Sequence, residues 1–289
     1  MISRAKIEDR TFAVLRWIVI AFLAIITIFP FYYMVLLSLK PIDQLLLDPG
    51  RLWVSNSDFT LSTYRDVLKS VDDGGQGFLR MLGNSALVAL GTVVLTLVLS
   101  VPGAYAVSRL RFFGGRQVSG LFLAVYLFPA TLLAVPLFVI FARIGLQGSL
   151  VGLIIVYIAQ TVPVSIYMLK NYFVTIPASV EEAAALDGCS RLQIVRRIVL
   201  PLAAPSLMAT GLYVFMIAWN EFLFALLFLA ADPDKWTVSL GLQQLANGIE
   251  VPKTVLMAGS VVLTIPVVLL FYAAERLLTE GLTSGADKS

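Results

Sequence analysis

The chain has 289 residues, 59% of them hydrophobic and only 13% charged, with a formal net charge of +3 at pH 7; its mean hydropathy is +0.90. A soluble globular chain carries about 25% charged residues, so too little polar surface remains to coat a body dissolved in water, and the long apolar runs point to a bilayer. With no histidine and a single cysteine, Cys189, the chain lacks the commonest general base and metal ligand and can form no intrachain disulfide.

A helix crossing the hydrocarbon core needs about 20 mostly apolar residues. Six stretches qualify, at roughly 13–37, 85–107, 118–142, 150–169, 205–229 and 255–274. Each is continuously apolar, without a polar residue at every second position, which selects helices over a barrel. The expected fold is an all-α integral membrane protein: one six-helix domain over 13–276, between an N-terminal segment 1–12 and a tail 277–289. The first run follows Arg4, Lys6, Arg10 and Arg16, yet it is too long for a signal core and no small-x-small cleavage site follows, so it reads as a retained span. The loop 38–84 contains a short helical segment at Leu61–Lys69 and the stretch Asp72-Asp73-Gly74-Gly75-Gln76-Gly77, whose glycine and charge content predicts that it does not pack. Pro129, Pro136 and Pro163 lie inside spans three and four, where they free backbone carbonyls and can bend a helix. The loop 230–254 opens with a turn at Asp232-Pro233-Asp234.

Six spans put both termini on one side. That side holds thirteen of the 21 Lys and Arg residues, and the other holds eight. The short loop 108–117, with Arg109, Arg111, Arg116 and no acid, carries the clearest signal. Basic residues favour the cytoplasm, so both termini are expected there and the loops 38–84 and 230–254 outside. This bias accounts for the positive net charge, and no nucleic-acid partner is needed.

The remaining internal loop, 177–201, is too polar for lipid and too patterned for a slack connector. Ser179 and Glu182 have the spacing of a capping box, so a helix is predicted from about Val180. Gly188 can take the left-handed conformation that ends it. Ser190 and Gln193 repeat the box, and a second helix is predicted to run to Leu200, stopped by Pro201. Ala183, Ala184 and Ala185 give the first helix a surface without bulk, flanked by the charges of Glu181, Glu182 and Asp187. Such a face lets another protein's backbone approach closely. An interfacial helix would instead pair Lys and Arg with Trp, Phe and Leu.

Glu182-Ala183-Ala184, three residues, Gly188, nine residues, then Ile198-x-Leu200-Pro201 resembles the EAA loop of bacterial ABC importer permeases, with every fixed position filled. Asn84-Ser85, Ala104-Tyr105-Ala106 with Ser108-Arg109, and Trp219-Asn220-Glu221-Phe222 resemble the carbohydrate branch, specifically the maltose-permease-type second subunit. The resemblance implies a type I importer permease in a bacterial inner membrane, taking up a sugar, with the loop as a coupling helix pair on a cytoplasmic ATPase. Its coupling residues would be Glu181, Glu182, Ala183, Ala184, Asp187, Gly188, Arg191, Ile198, Leu200 and Pro201. It also implies a second permease subunit, two ATPase subunits or domains, and an external sugar-binding protein.

No G-x-x-x-x-G-K-[ST] phosphate loop occurs, and Gly114-Gly115-Arg116 is not one. ATP and its magnesium are therefore expected on the ATPase partner, with no cofactor or metal on this chain and no catalytic residue. Candidate path residues are polar groups at membrane depth: Tyr157, Thr161 and Ser165 on one face of span four with Gln160 beside them, and Tyr213, Asn220 and Glu221 in span five. Interhelical hydrogen bonding is an equal reading for span four, and a structural contact is the favoured one for Glu221. Thr92, Thr96 and Ser100 of span two fit interhelical bonding better. A secondary transporter would need more buried ionisable groups than Glu221. A membrane enzyme would need catalytic groups that are missing.

Overall fold

The computed structural model of the chain describes residues 4–48, 50–55, 59–110, 112–248 and 251–286. Arg111 and Lys288, counted for orientation, lie outside the described residues, as do the side chains of Arg4, Lys6, Arg116 and Arg276. The regular elements of the described residues are all helices, with no strand among them. Two compact units divide the chain, one of residues 1–77 with 245–262 and the other of 78–244 with 263–289.

In the first unit, helix α1 (Arg4–Ser38) leads into the short helices α2 (Ile42–Leu47) and α3 (Ser62–Leu68). Ser38 donates to the Val35 carbonyl at 2.6 Å and meets the Tyr64 hydroxyl at 2.6 Å, which ties the end of α1 to α3. The expectation that residues 72–77 stay unpacked is overturned. A 3₁₀ turn at Val71–Asp73 leads into a folded corner. There the N–H groups of Gly75, Gln76 and Gly77 bond to the carbonyls of Ser70, Asp66 and Lys69. Glycine makes this approach possible, since a Cβ on Gly75 would lie 2.4 Å from the Lys69 carbonyl oxygen.

The second unit is built on two long helices, α4 (Phe78–Arg109) and α7 (Leu150–Thr175), which share the most extensive helix contact among the described residues. Small residues let them approach, as is usual between helices in lipid. A Cβ on Gly91 would meet Ile154 at 3.2 Å, and one on Gly103 would meet Ile166 at 3.0 Å. Between these points the hydroxyls of Thr96 and Thr161 lie 2.9 Å apart. Of the buried row Thr92, Thr96 and Ser100, Thr96 thus bonds across to α7 as the interhelical reading expects, whereas Thr92 donates to the Val88 carbonyl of its own helix and Ser100 Oγ has no hydrogen-bond partner.

The predicted third span is not one helix. α5 (Gly115–Leu127) ends before Pro129, a 3₁₀ turn covers Ala130–Leu133, and α6 (Ala134–Arg143) leaves at 83°. Pro129 has no N–H to continue α5 and forces Phe128 out of the helical region, to φ −76° and ψ 127°. Pro163, in contrast, sits buried within an unbroken α7.

The predicted fifth span is also divided. α11 (Ala204–Asn220) stops at Glu221, and α12 (Leu223–Leu229) follows. α13 (Val238–Asn247) and the long α14 (Lys253–Ala286) complete the chain. Among the described residues, four helices are long and apolar enough to cross a membrane, or up to six if each of two bent pairs, 117–127 with 130–143 and 191–202 with 204–220, is one span.

The start of α4 is cross-tied to the segment before α13. Asn84 donates to the carbonyls of Asp234 and Trp236, at 2.9 and 3.0 Å. Ser85 accepts from the Val238 N–H at 2.8 Å, and the predicted turn at Asp232 appears as a 3₁₀ segment, Pro233–Lys235. Lys235 reaches the Gly148 carbonyl and pairs with Asp232, whose carboxyl its hydrogen bond holds below the usual range.

Candidate functional site

Between α7 and α11 lies the patterned loop. α8 (Ala178–Leu186) begins directly after Pro177. The expected box at Ser179 and Glu182 is not formed: the helix starts two residues earlier than predicted, and no side chain caps it. Pro177 in extended conformation already breaks the continuity with α7, so Ser179 falls inside the first turn.

The end of α8 follows the expectation. Gly188 has φ +83°, its N–H bonds to the Ala185 carbonyl at 3.1 Å, and the Cys189 N–H bonds to the Ala184 carbonyl at 3.0 Å. These two bonds form a Schellman motif, which satisfies the last carbonyls of α8. Ser190 and Gln193 then form the predicted reciprocal box: the Ser190 N–H donates to Gln193 Oε1 at 2.7 Å, and the Gln193 N–H donates to Ser190 Oγ at 3.4 Å. α9 (Arg191–Ile194) starts there, so the corner between two helices leaves few backbone groups unsatisfied.

Pro201 does not stop the second helix. The helix widens to a π turn over Val195–Val199, continues as α10 (Leu200–Leu202), and bends by 78° at Ala203 into α11. Pro201 cannot donate to the carbonyl four residues back, and the wider turn makes room for its ring.

The alanine face is divided. Ala184 is buried in an apolar cluster with Ala104, Leu169, Phe173, Ile194 and Val199. Glu182, Ala183, Asp187, Gly188 and Arg191 are exposed. Leu186 and Leu192 stand out beside them, at 89% and 76% exposure, a display of apolar bulk that an isolated soluble surface would not need. Ile198 and Leu200 are half-buried, and Pro201 is exposed.

Glu181, expected at the edge of the docking face, turns inward. Its carboxylate accepts from Arg109 Nε at 2.7 Å and from the Tyr105 hydroxyl at 2.9 Å. Arg109 also donates through Nη2 to the carbonyls of Phe173 and Ile176, at 2.8 and 2.6 Å. In the sequence, Arg109 stands out only as a charge that favours the cytoplasm and, with Tyr105, as part of the family patch. Their partners lie more than 60 residues away, so no local spacing exposes the contact.

The polar groups of span four divide as well. Tyr157, Thr161 and Ser165 are buried, and Thr161 and Ser165 each donate to the carbonyl four residues back. Tyr157 donates to Glu221 Oε2 at 2.6 Å. Glu221 also accepts from the N–H groups of Phe224 and Ala225, at 2.9 and 3.2 Å, so it caps α12 and marks the break in the predicted fifth span. Asn220 is exposed and donates back to the Met216 carbonyl. Gln160 and Tyr213, with Thr161, line a cavity of about 610 Å³ beside Tyr126, Phe128 and Pro129. Gln160 Nε2 is buried there without a hydrogen-bond partner. Of the path candidates named from the sequence, Gln160, Thr161 and Tyr213 line this cavity, and Tyr126 and Pro129 belong to the same wall.

The chain is similar to several known proteins. The sequence profile of the family described as "Binding-protein-dependent transport system inner membrane component" matches residues 98–283. The chain is 38% identical over 270 residues to the inner membrane ABC transporter permease protein YcjP of Escherichia coli K12, covering 93% of this chain and 94% of that protein. It is 35% identical over 268 residues to the trehalose/maltose transport system permease protein MalG of Thermococcus litoralis, covering 92% and 93%. Among solved structures, a chain of a bacterial ABC transporter involved in the import of the acidic polysaccharide alginate superposes with a TM-score of 0.79 at 25% identity, covering 96% of this chain and 98% of that one.

Proposed function

We propose that this chain, which belongs to the family of binding-protein-dependent transport system inner membrane components, is the permease subunit that forms half of the path of an ABC importer for a di- or oligosaccharide. The chain is a multi-pass, all-helical membrane protein, and permeases of this family are transport components rather than enzymes. The sugar is supported by the relative named for trehalose and maltose and by the alginate transporter of similar fold.

The single observation that carries the coupling role is the exposed edge of Glu182, Ala183 and Leu186, presented just before the Schellman corner at Gly188. A narrow, acid-flanked helix with an apolar knob suits a groove on a cytoplasmic ATPase, where Glu182 would meet a basic side chain. The ATPase pair, carrying ATP and magnesium, would close and move α8. The bundle, paired with a second permease subunit, would then open alternately to an external sugar-binding protein and to the cytoplasm. Both termini lie in the cytoplasm on this reading. The segments 38–84 and 230–254 are external, and 177–201 is the coupling loop. Gln160 and Tyr213 are the path residues this reading favours, because they line the cavity; Thr161 lines it too but also meets Thr96 of α4, Tyr157 is bound to Glu221, and Ser165 is buried and bonds within its own helix.

The test is reconstitution. The chain is purified with its copurifying subunits, placed in proteoliposomes, and given ATP inside and labelled maltose or trehalose with the binding protein outside. ATP-dependent uptake is expected. Uptake that follows an ion gradient with ATP absent would end the proposal.

A further inference from the structure

We propose that Arg109 and Glu181 form a latch through which displacement of α8 is passed to α4 and α7, making them positioning residues for transport; this rests on the reading of α8 as the docking helix. Only Ile176 and Pro177 separate the last residue of α7 from the first of α8, and both are in extended conformation. Left alone, two such residues are a swivel, and a push on α8 would be absorbed there.

Arg109 removes that freedom. It stands at the inner end of α4 and holds the carbonyl of Ile176, a residue of the link itself, together with that of Phe173 in the last turn of α7. Through Nε it holds Glu181, in the first turn of α8. One planar guanidinium thus joins three helices, which a flexible ammonium could not do with the same geometry. The charges also suit their places, since a cation is favoured at the C-terminal end of α7 and an anion at the N-terminal end of α8. The two side chains are 16% and 12% exposed, so solvent screens the pair weakly. Tyr105, one turn before Arg109, fixes the second carboxylate oxygen. Beneath the latch, Ala104, Phe173, Ile176 and Ala184 pack in one cluster. The neighbouring Glu182 is exposed and free to meet a partner, so adjacent acids face opposite ways: one to the docking surface, one to the bundle.

The experiment uses the complete complex in proteoliposomes and reads two quantities: ATPase copurified per permease, and sugar transported per ATP hydrolysed. The variants are Arg109→Gln, Glu181→Gln, the double Gln variant, Arg109→Lys and Glu182→Lys. The latch requires that the Gln variants keep the copurified ATPase while sugar per ATP falls at least tenfold, and that Arg109→Lys, retaining the charge, recovers part of the ratio. An unchanged ratio in the double Gln variant overturns the latch. Loss of complex in step with uptake across all Gln variants also overturns it, by assigning the pair to folding alone. Glu182→Lys separates the two readings. If it retains both ATPase and uptake, the docking role of α8 fails whatever the Arg109 variants do. If it loses both while the Gln variants behave as wild type, only the latch fails.

Discussion

The Tyr157 hydroxyl donates to the Glu221 carboxylate at 2.6 Å, and so a buried residue in the third turn of α7 supports the point where α11 gives way to α12. Glu221 is held from further sides: by the N–H groups of Phe224 and Ala225, and at its backbone carbonyl by the Ser239 hydroxyl. Glu221→Ala should remove a helix cap worth about 1 kcal/mol and leave a buried hydroxyl unpaired at a cost of about 1–3 kcal/mol. Tyr157→Phe removes both the donor and its need, so about 0.5–1.5 kcal/mol is expected. Thermal melting of the detergent-solubilised protein orders the two variants, and equal melting of Glu221→Ala and wild type would contradict the capping role.

At the proposed docking surface, Glu182→Lys reverses an exposed charge without touching the packed side of α8. Membrane insertion and yield should stay at the wild-type level. ATPase copurification and sugar uptake should fall by at least tenfold. Normal uptake by this variant would exclude Glu182 from the contact.

The cavity makes a prediction about two residues five apart on α7. Gln160→Leu removes an amide whose nitrogen has no protein partner, and it should raise the KM for sugar uptake several-fold with little effect on stability. Ser165→Ala removes a buried hydroxyl that bonds only within its own helix, so uptake should stay close to wild type. The reverse order would move the path to the other face of α7.

Gly188→Ala tests the corner. Its Cβ would meet nothing within 4 Å, so the cost is conformational, about 1–2 kcal/mol for an L-residue in the left-handed region. The half-buried thiol of Cys189, the lone cysteine, reports the outcome. Maleimide labelling should quicken in the variant, and an unchanged rate would mean that the corner does not depend on the glycine.

The sequence revealed the features that are local or compositional. Apolar runs marked the long helices, and Gly188 with Ser190 and Gln193 marked the corner, because turn and cap chemistry act over three or four residues. It pointed to Pro129 as a place where a helix can bend, but did not reveal the break at Glu221. Continuity of hydrophobicity is blind to a change of direction, and the α5–α6 and α11–α12 breaks depend on how Pro129 and Glu221 use their backbone. The capping box at Ser179 misled because Pro177 had already set the helix start. The inward turn of Glu181 and Ala184 needed the third dimension: both rest on residues of α4 and α7 far away in the chain.

Gly91 and Gly103 on α4 stand the same twelve residues apart as Ile154 and Ile166 on α7, and each isoleucine lodges against its glycine. Two pegs in two notches about 18 Å apart forbid sliding, because a shift by one turn would lift both pegs at once. The two helices must travel as a single plank. Whatever bending the transport cycle demands is left to the joints at Pro129, Ala203 and Glu221, and a variant that stiffens one of these should slow the cycle without disturbing the plank.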